Sequence, residues 1–268
     1  MSVLRLVLLS GLGLVASGCI NSTSLIKVNA DGSGTIEQTM LVNMATLKGV
    51  MATMGAKPGA DAGGSVLNEA DFKRAGERMG VKPVSLTPVK EGGFEGSKAI
   101  YAFDDITKVR VDQGPEMSGS TSGAFSAASP MAAPIKFGFS RQGGTSVLTI
   151  TVDEGVGRSA TTQASQAPSL DQIDPSMLQV VKQIFEGFRV LVDVEVEGKI
   201  VETNADYVQG SRVTLLDVDM GQVLSDLDQL KMLQSKVQPG ASFSEVRPFL
   251  KDIKGVKMNH PSVTIEYR

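Results

Sequence analysis

The sequence predicts an α+β fold in which a mostly antiparallel sheet is covered on one face by helices. Three observations support this class. Residues 188–220 alternate apolar and polar side chains with the period of a strand. Other segments repeat apolar residues at helical spacing, and the two kinds of element follow one another in mixed order. Mobile insertions rich in Gly, Ser and Ala interrupt the pattern near residues 56–65, 113–134 and 153–168.

The central stretch, residues 188–220, predicts an antiparallel meander. Its first strand carries apolar side chains at every second position from Phe188 to Val196, and charged residues occupy most positions between them. Gly198 and Lys199 form a tight-turn signal, after which Ile200 begins a return strand. A third strand follows at residues 212–218, so we expect the three strands to pair in sequence.

Residues 1–18 indicate an export signal. Arg5 is their only charged residue, and the apolar run at residues 6–16 is too short to span a bilayer. The small residues 15–18 before Cys19 resemble the lipobox of bacterial lipoproteins, in which the cysteine becomes the lipidated N-terminus. Cys19 is the only cysteine, which excludes an internal disulfide. The alternative is an ordinary cleaved signal peptide with a free thiol nearby.

Lipidation of Cys19 implies that the protein's first partner is a membrane. Acyl chains such as palmitate contribute about 0.8 kcal/mol per buried methylene, and more than one chain anchors a protein stably. In lipoprotein sorting an Asp after the cysteine favours the inner membrane, and Ile20 stands there instead. We therefore expect the periplasmic face of the cell outer membrane. Residues 19–24 would be a lipidated tether and residues 25–268 a single domain.

The composition argues against a nucleic-acid partner. The formal net charge is −3 and no basic run occurs, so the electrostatic footprint of nucleic-acid binding is missing from the sequence. Trp is absent and only 3 Tyr occur, which argues against a stacking platform for sugars or bases.

Two strands are predicted at residues 25–28 and 36–42, on either side of a glycine-rich loop. The loop from Asn29 to Thr35 matches part of an EF-hand calcium loop. Position 12 of that motif needs a bidentate Glu, and Met40 stands there. We expect a hairpin turn and no calcium site.

A helix over residues 43–54 supplies the candidate ligand-binding residues. Met44, Leu47, Met51 and Met54 recur at helical spacing, so they share one face. Flexible methionines can line an adaptable apolar pocket. The alternative is that this stripe is simply core.

The remaining elements follow from local signals. Asn68 caps a second helix that stops at Gly80, and Pro83 and Pro88 restrict residues 81–89 to an edge strand. Further strands are expected at residues 99–103, 135–139, 147–152 and 263–267, the middle two forming a hairpin. Further helices are expected from Pro175, over residues 223–233 and over residues 246–253.

The sequence favours a non-enzymatic protein without a catalytic residue, metal or cofactor. His260 is the only histidine and lies beside Pro261 in a predicted turn, and no thiol besides Cys19 is present for a Cys/His dyad. Neither a G-x-S-x-G elbow nor a phosphate loop occurs. Asp104 and Asp105 are expected at a solvated strand end. A glycosidase that uses two carboxylates needs no local motif and stays open as an alternative.

Three features resemble the LppM-type domain of bacterial lipoproteins. They are the lipobox, the strand pair around residues 31–35, and residues 196–205 followed by residues 210–214. The resemblance covers most of the mature chain. It implies an α+β domain that handles lipids or other amphiphiles.

Two functional hypotheses follow. In the first, the anchored protein holds a lipid or another apolar ligand between its sheet and helices, along the helix that carries Met44 or along the valines of the central stretch. The alternative is a scaffold lipoprotein with a filled core, which acts through contacts with another envelope protein.

Overall fold

The fold consists of two β-sheets that share one hydrophobic core. The computed structural model describes residues 20–46, 49, 68–111, 135–152, 179, 182, 185, 187–236 and 243–268. The strands of this part of the chain are β1 (Ile20–Val28), β2 (Gly34–Asn43), β3 (Lys82–Glu91), β4 (Phe94–Phe103), β5 (Arg110–Val111), β6 (Ile135–Gln142), β7 (Thr145–Val152), β8 (Arg189–Val196), β9 (Ile200–Thr203), β10 (Val208–Gln209), β11 (Arg212–Asp219), β12 (Val256–Met258) and β13 (Ser262–Tyr267). The helices are α1 (Glu69–Met79), α2 (Met220–Val223), α3 (Leu227–Lys236) and α4 (Phe243–Leu250), and a 3₁₀ turn spans Ile106–Lys108.

The first sheet has eight strands, in the order β10-β11-β8-β1-β2-β4-β3, with β12 paired to β11. Strands β1 and β8 run parallel, and the other pairs in this sheet are antiparallel. The second sheet has five strands in the order β5-β6-β7-β13-β9, paired antiparallel throughout. The predicted α+β class with a mostly antiparallel sheet is confirmed at this level.

The shared core lies between the two sheets. Ile26, Ile36 and Val194 of the first sheet are fully buried in one cluster with Leu148 and Ile265 of the second. Alternation of inward apolar and outward polar side chains therefore predicts correctly which residues of these strands are core.

Side-chain hydrogen bonds tie the β1–β2 turn to the second sheet. The hydroxyl of Tyr267 in β13 donates to the main-chain oxygen of Asn29 at 2.8 Å, and the hydroxyl of Ser146 in β7 donates to that of Ala30 at 2.7 Å. The turn needs Gly32, at φ +85°, because a Cβ there would lie 2.8 Å from the ring of Phe139. The predicted hairpin turn between β1 and β2 is confirmed, and it also connects the sheets.

Helices contribute less than the sequence predicts. Helix α1 has its predicted cap at Asn68 and its predicted stop at Gly80, and it packs Phe72 against Tyr101 with ring centroids 4.8 Å apart. Across the described residues, however, helices are few and do not clearly cover a sheet face. The expectation that helices cover one face of the sheet is therefore corrected. The second sheet supplies much of the apolar surface against which the first sheet buries its own.

The helical stripe expected over residues 223–233 is divided in two. Helix α2 ends at Val223 and α3 begins at Leu227. Between them the carboxylate of Asp226 accepts a hydrogen bond from the main-chain nitrogen of Gln229 at 3.1 Å, as an N-terminal cap does. Within the described ranges, no helix combines the length and apolar character needed to cross a membrane.

The predicted meander is wrong in its second strand. Strand β9 does not return along β8 but pairs with β13 in the second sheet. Both edges of β8 are occupied, by β1 on one side and β11 on the other. Main-chain bonds between Lys199 and Arg268, at 2.9 and 3.1 Å, hold the chain where it crosses over. The third strand, β11, pairs antiparallel with β8 and not with β9, so its predicted neighbour is also wrong.

The polar tether expected within residues 19–24 is also wrong from Ile20 onward. Strand β1 begins at Ile20, which is 2% exposed, and every residue from Ile20 to Val28 has a partner in β2. Short polar residues suggest a flexible segment, but here the ladder bonds of two neighbouring strands hold them in the sheet.

Other predicted elements are confirmed. The edge strand with Pro83 and Pro88 is β3, at one end of the first sheet, and the β6–β7 hairpin turns through Gly143 and Gly144. The last strand is β13 and the preceding helix is α4. The three predicted insertions lie outside the described residues, as does most of the helix expected from Pro175, of which Gln179, Lys182 and Phe185 are helical.

Candidate ligand-binding site

A small apolar cluster lies at the end of the first sheet where β1 begins and β2 ends, and it touches the main core through Phe188. Ile20 and Val42 form its centre, each 2% exposed and directly opposite each other in the ladder. Met40, Met44 and Phe188 pack against them and are half-buried. We call these five residues the end cluster.

Along β1, β2 and β4, a row of uncharged polar residues lies between the end cluster and the main core. Ser22 and Ser24 alternate with Ile20 and Ile26 along β1, so all four side chains lie on the inner face of the sheet. Gln38 of β2 is opposite Ser24, and Ser97 of β4 is opposite Met40 on the same face. We call Ser22, Ser24, Gln38 and Ser97 the polar belt.

The polar belt is only partly covered. Ser97 is buried, whereas Ser22, Ser24 and Gln38 are half-buried. The amide nitrogen of Gln38 lies 3.9 Å from the sulfur of Met79 in α1, which is a weak hydrogen bond. The belt therefore offers hydroxyl and amide groups that both donate and accept hydrogen bonds, next to apolar surface on two sides. An amphiphilic molecule satisfies both kinds of surface at once.

The structure places one predicted ligand-binding residue at this site. Met44 belongs to the end cluster, directly after β2. Leu47, Met51 and Met54 lie outside the described residues, as does the predicted lipidation site, Cys19.

Sequence reasoning missed the polar belt and most of the end cluster. Ser22 and Ser24 are in phase with Ile20 and Ile26, and this alternation was the available signal. This alternation is easily overlooked, because a strand with serines at its centre lacks the continuous row of apolar side chains that is typical of a core strand. The segment then resembles a polar tether. Phe188 was assigned to the apolar face of the central stretch, and the structure adds its contact with residues near Ile20.

Ion pairs compensate the charges on the opposite, outer face of the first sheet. The carboxylate of Glu37 lies 2.6 Å from the ammonium of Lys27 and 2.7 Å from that of Lys98. These hydrogen bonds, first that of Lys27 and then that of Lys98, hold the pKa of Glu37 below its ordinary value. Glu37 is thus ionised and neutralised at neutral pH.

A second compensated group surrounds Asp217 on the same outer face. Burial disfavours its ionisation, yet hydrogen bonds from Arg189 at 2.8 Å and Lys257 at 3.2 Å outweigh burial and lower the pKa of Asp217. The outer face consequently carries paired charges, whereas the polar belt on the inner face is uncharged.

The single histidine lies in a different region, beside a neutralised carboxylate. The ring of His260 is 3.5 Å from Asp206, which also pairs with Arg247 and with Lys251 at 2.8 Å. The hydrogen bond from Lys251, opposed by burial, lowers the pKa of Asp206. These contacts connect the β9–β10 loop, α4 and the β12–β13 turn, so their evident role is structural.

Three other carboxylates, in the loop after β1 and in the Asp pair after β4, make local contacts. Asp31 accepts hydrogen bonds from the main chain and hydroxyl of Ser33, at 3.0 and 2.6 Å, inside the β1–β2 turn. Asp104 is exposed and pairs with Lys82, while Asp105 caps the 3₁₀ turn. Within the described part of the chain, no three His, Cys, Asp or Glu side chains are grouped so that they could hold a metal ion.

Comparison with known proteins gives a weak structural link. No family model matches the chain, and no curated protein matches it. A solved structure that does match is the NMR structure of the folded domain of the Mycobacterium tuberculosis LppM protein, at 12% sequence identity and a TM-score of 0.34. The match covers 94% of this chain and 91% of that chain. This agrees with the resemblance to the LppM-type domain only as a weak structural link.

Proposed function

We propose that the protein is a lipid-anchored protein of the cell envelope whose domain binds a lipid or another amphiphile without catalysing a reaction. The observation that carries this proposal is the half-buried polar belt between the end cluster and the main core, on the inner face of the first sheet. Anchoring is proposed through acyl chains on Cys19, at the periplasmic face of the outer membrane, on the strength of the lipobox and of Ile20 after it.

The polar belt determines which polar groups of a ligand bind best. Polar groups on a mostly apolar face lose water when they are covered, and this costs free energy unless a partner supplies hydrogen bonds. Ser22, Ser24 and Gln38 can supply and receive such bonds, and none of them carries a charge. Ester and hydroxyl groups, as in a glycerolipid, suit this site better than an ionised phosphate, which charged donors bind more strongly.

The end cluster suits the ligand's apolar part. Its methionines adapt their shape to a neighbour at small cost, and Phe188 adds a large apolar surface. Burial of each methylene there contributes about 0.8 kcal/mol. Each methylene that contacts the cluster therefore strengthens the binding of an amphiphile whose polar part is bound in the belt.

Native mass spectrometry of acyl-free protein that begins at Ile20 tests the proposal, because every described element begins at or after that residue. We expect a lipid to remain bound to the wild type. Substitution of Ser22 and Ser24 by Val fills the belt and removes two hydroxyls, so bound lipid should be lost. Thr23→Val is the matched control, since Thr23 lies between them on β1 and faces outward. Equal lipid on all three proteins, or none on the wild type, would contradict the proposal.

The alternative scaffold function has its own support. Val201 of β9 and Val208 of β10 are 49% and 44% exposed, and both lie on strands at sheet edges, where partners can add. If the wild type is free of lipid but retains an envelope protein in a pull-down, and Val201→Lys abolishes that retention, the scaffold function replaces the lipid-binding one.

A further inference from the structure

The position of the anchor relative to the fold sets how the domain meets the membrane. Cys19 is joined directly to Ile20, and neighbouring Cα atoms are about 3.8 Å apart across a trans peptide bond. Ile20 is buried and paired in register with Val42, so the sheet begins at the residue after the acylated one. No tether therefore separates acyl chains on Cys19 from the folded sheet.

Large apolar side chains are concentrated at the same end of the sheet. Met44 follows β2 and Phe188 precedes β8, and both are half-buried in the end cluster. Phe94, also half-buried, begins β4 and pairs with Asn43. These side chains lie at the end of the sheet to which the acyl chains would be attached.

Two of the charges near this end form ion pairs, whereas Glu91, opposite Phe94 in the β3–β4 ladder, is exposed to solvent. Arg189, at the start of β8, binds Asp217, and Lys90 binds Glu95 at 3.0 Å across the β3–β4 hairpin. Ion pairs reduce the cost of bringing charged groups close to a low-dielectric phase, because neither member approaches it alone. Contact of this end with lipid is therefore not opposed by an isolated charge among the paired residues.

We propose that the half-buried side chains of the end cluster, Met40, Met44 and Phe188, form with Phe94 a membrane-contact surface that the anchor at Cys19 presses against the lipid bilayer. The partner is the bilayer surface itself, and the domain stands with β1 leading away from it. The far end of β1, at Val28, is then roughly 26 Å from Ile20, at about 3.3 Å per strand residue. This proposal rests on the proposed anchoring at Cys19. It adds that the polar belt lies beside the surface that meets the bilayer, which is the source of an amphiphilic ligand.

The chain contains no Trp, so a single introduced Trp reports its surroundings without background. We would place the mature lipidated protein in phosphatidylcholine vesicles with brominated acyl chains. Phe188→Trp and, as a second reporter in the same cluster, Met44→Trp should lose most of their emission. The matched control is Phe139→Trp, whose ring position lies against Gly32 in the turn at the far end of β1. Its emission should be unchanged.

A linker variant shows whether the direct connection is the cause. A flexible Gly/Ser linker of about 20 residues between Cys19 and Ile20 spans roughly 25 Å on average, enough to release the domain from the surface. Quenching of Phe188→Trp should then fall while the protein stays in the vesicle fraction. Both cluster reporters unquenched, all three reporters equally quenched, or quenching unaffected by the linker would overturn the proposal.

The outcomes also separate this inference from the proposed function. If the wild type leaves the vesicle fraction as readily as Cys19→Ser, the anchoring itself is wrong and the inference falls with it. If the protein stays anchored but the cluster reporters are not quenched, only the contact surface is wrong. Lipid bound in native mass spectrometry is measured on acyl-free protein, so that result stands independently of the vesicle experiment.

Discussion

Removal of one hydroxyl, in Tyr267→Phe, should change both the stability of the protein and its dependence on pH. Tyr267 is fully buried and donates a 2.8 Å hydrogen bond to the main-chain oxygen of Asn29, which joins the second sheet to the β1–β2 turn. That oxygen also accepts from Gly32 at 3.1 Å, so it keeps one partner in the variant. The expected loss is therefore that of one ordinary hydrogen bond, about 1 kcal/mol at neutral pH.

The alkaline limb gives a sharper test. Burial raises the pKa of Tyr267 from 10.0 to about 12, so the folded protein holds the phenol proton to higher pH than the unfolded chain does. This contribution is fully present below pH 10 and is lost as pH rises towards 12. The loss reaches about 2.7 kcal/mol, at 1.36 kcal/mol for each pH unit of difference. Wild type should be the more stable protein at pH 7, and the variant the more stable near pH 12.

Urea unfolding at a series of pH values measures this difference, because midpoint and slope together give the free energy of unfolding. Comparison with the variant removes the other groups that titrate in alkali. Tyr207→Phe, at a half-buried position, is the matched control for removing a phenol. A stability difference between wild type and Tyr267→Phe that stays constant from pH 7 to pH 12 would refute the reasoning about burial.

Three further predictions test the local packing, each by urea unfolding. Ile20→Ala should lower the free energy of unfolding by about 2–4 kcal/mol, since it leaves a cavity at a buried site. If stability does not change, Ile20 does not contribute to the core and belongs to a tether. Gly80→Ala should lower the free energy of unfolding more than Gly92→Ala does. Both glycines have positive φ, but only at Gly80 would a Cβ lie close to a main-chain oxygen, 2.9 Å away. Equal losses of stability would show that this contact does not matter. Asp217→Asn should lose about 1.5–3 kcal/mol at pH 7, the strength of hydrogen bonds to a charged group. The folded-state pKa of Asp217 is lowered, so its contribution is present above about pH 4 and is lost as pH falls; the gap between wild type and variant should therefore narrow steadily as pH falls below about 4.

Local signals in the sequence predict much of the fold. The caps of α1 need only Asn68 and Gly80 and the few residues beside them, and the β6–β7 hairpin needs only its Gly pair and the strands next to it. The path of β9 needs more. Gly198 and Lys199 satisfy a hairpin, but β8 already has a neighbour on each side, contributed by strands far away in the sequence.

The candidate site could be predicted only in part. Met44 was identified from helical spacing, and the structure places it beside Ile20. The polar belt was overlooked because Ser22 and Ser24 on their own favour solvent and flexible chain. Their position on an inner face follows from the pairing of β1 with β2 and β8, which no property of the serines determines.

By itself, the sequence determines the period of each strand, the ends of α1, the glycine turns and the face on which each side chain lies, because all of these depend on neighbours a few residues away. The tertiary structure decides which strands become partners, that a second sheet rather than a helical layer closes the core, and that Ile20 belongs to a sheet. The alternation of apolar and polar residues in a strand specifies which face is buried. It does not specify which strands will pair with its two hydrogen-bonding edges. Partners for those edges come from distant segments that only the folded chain brings together.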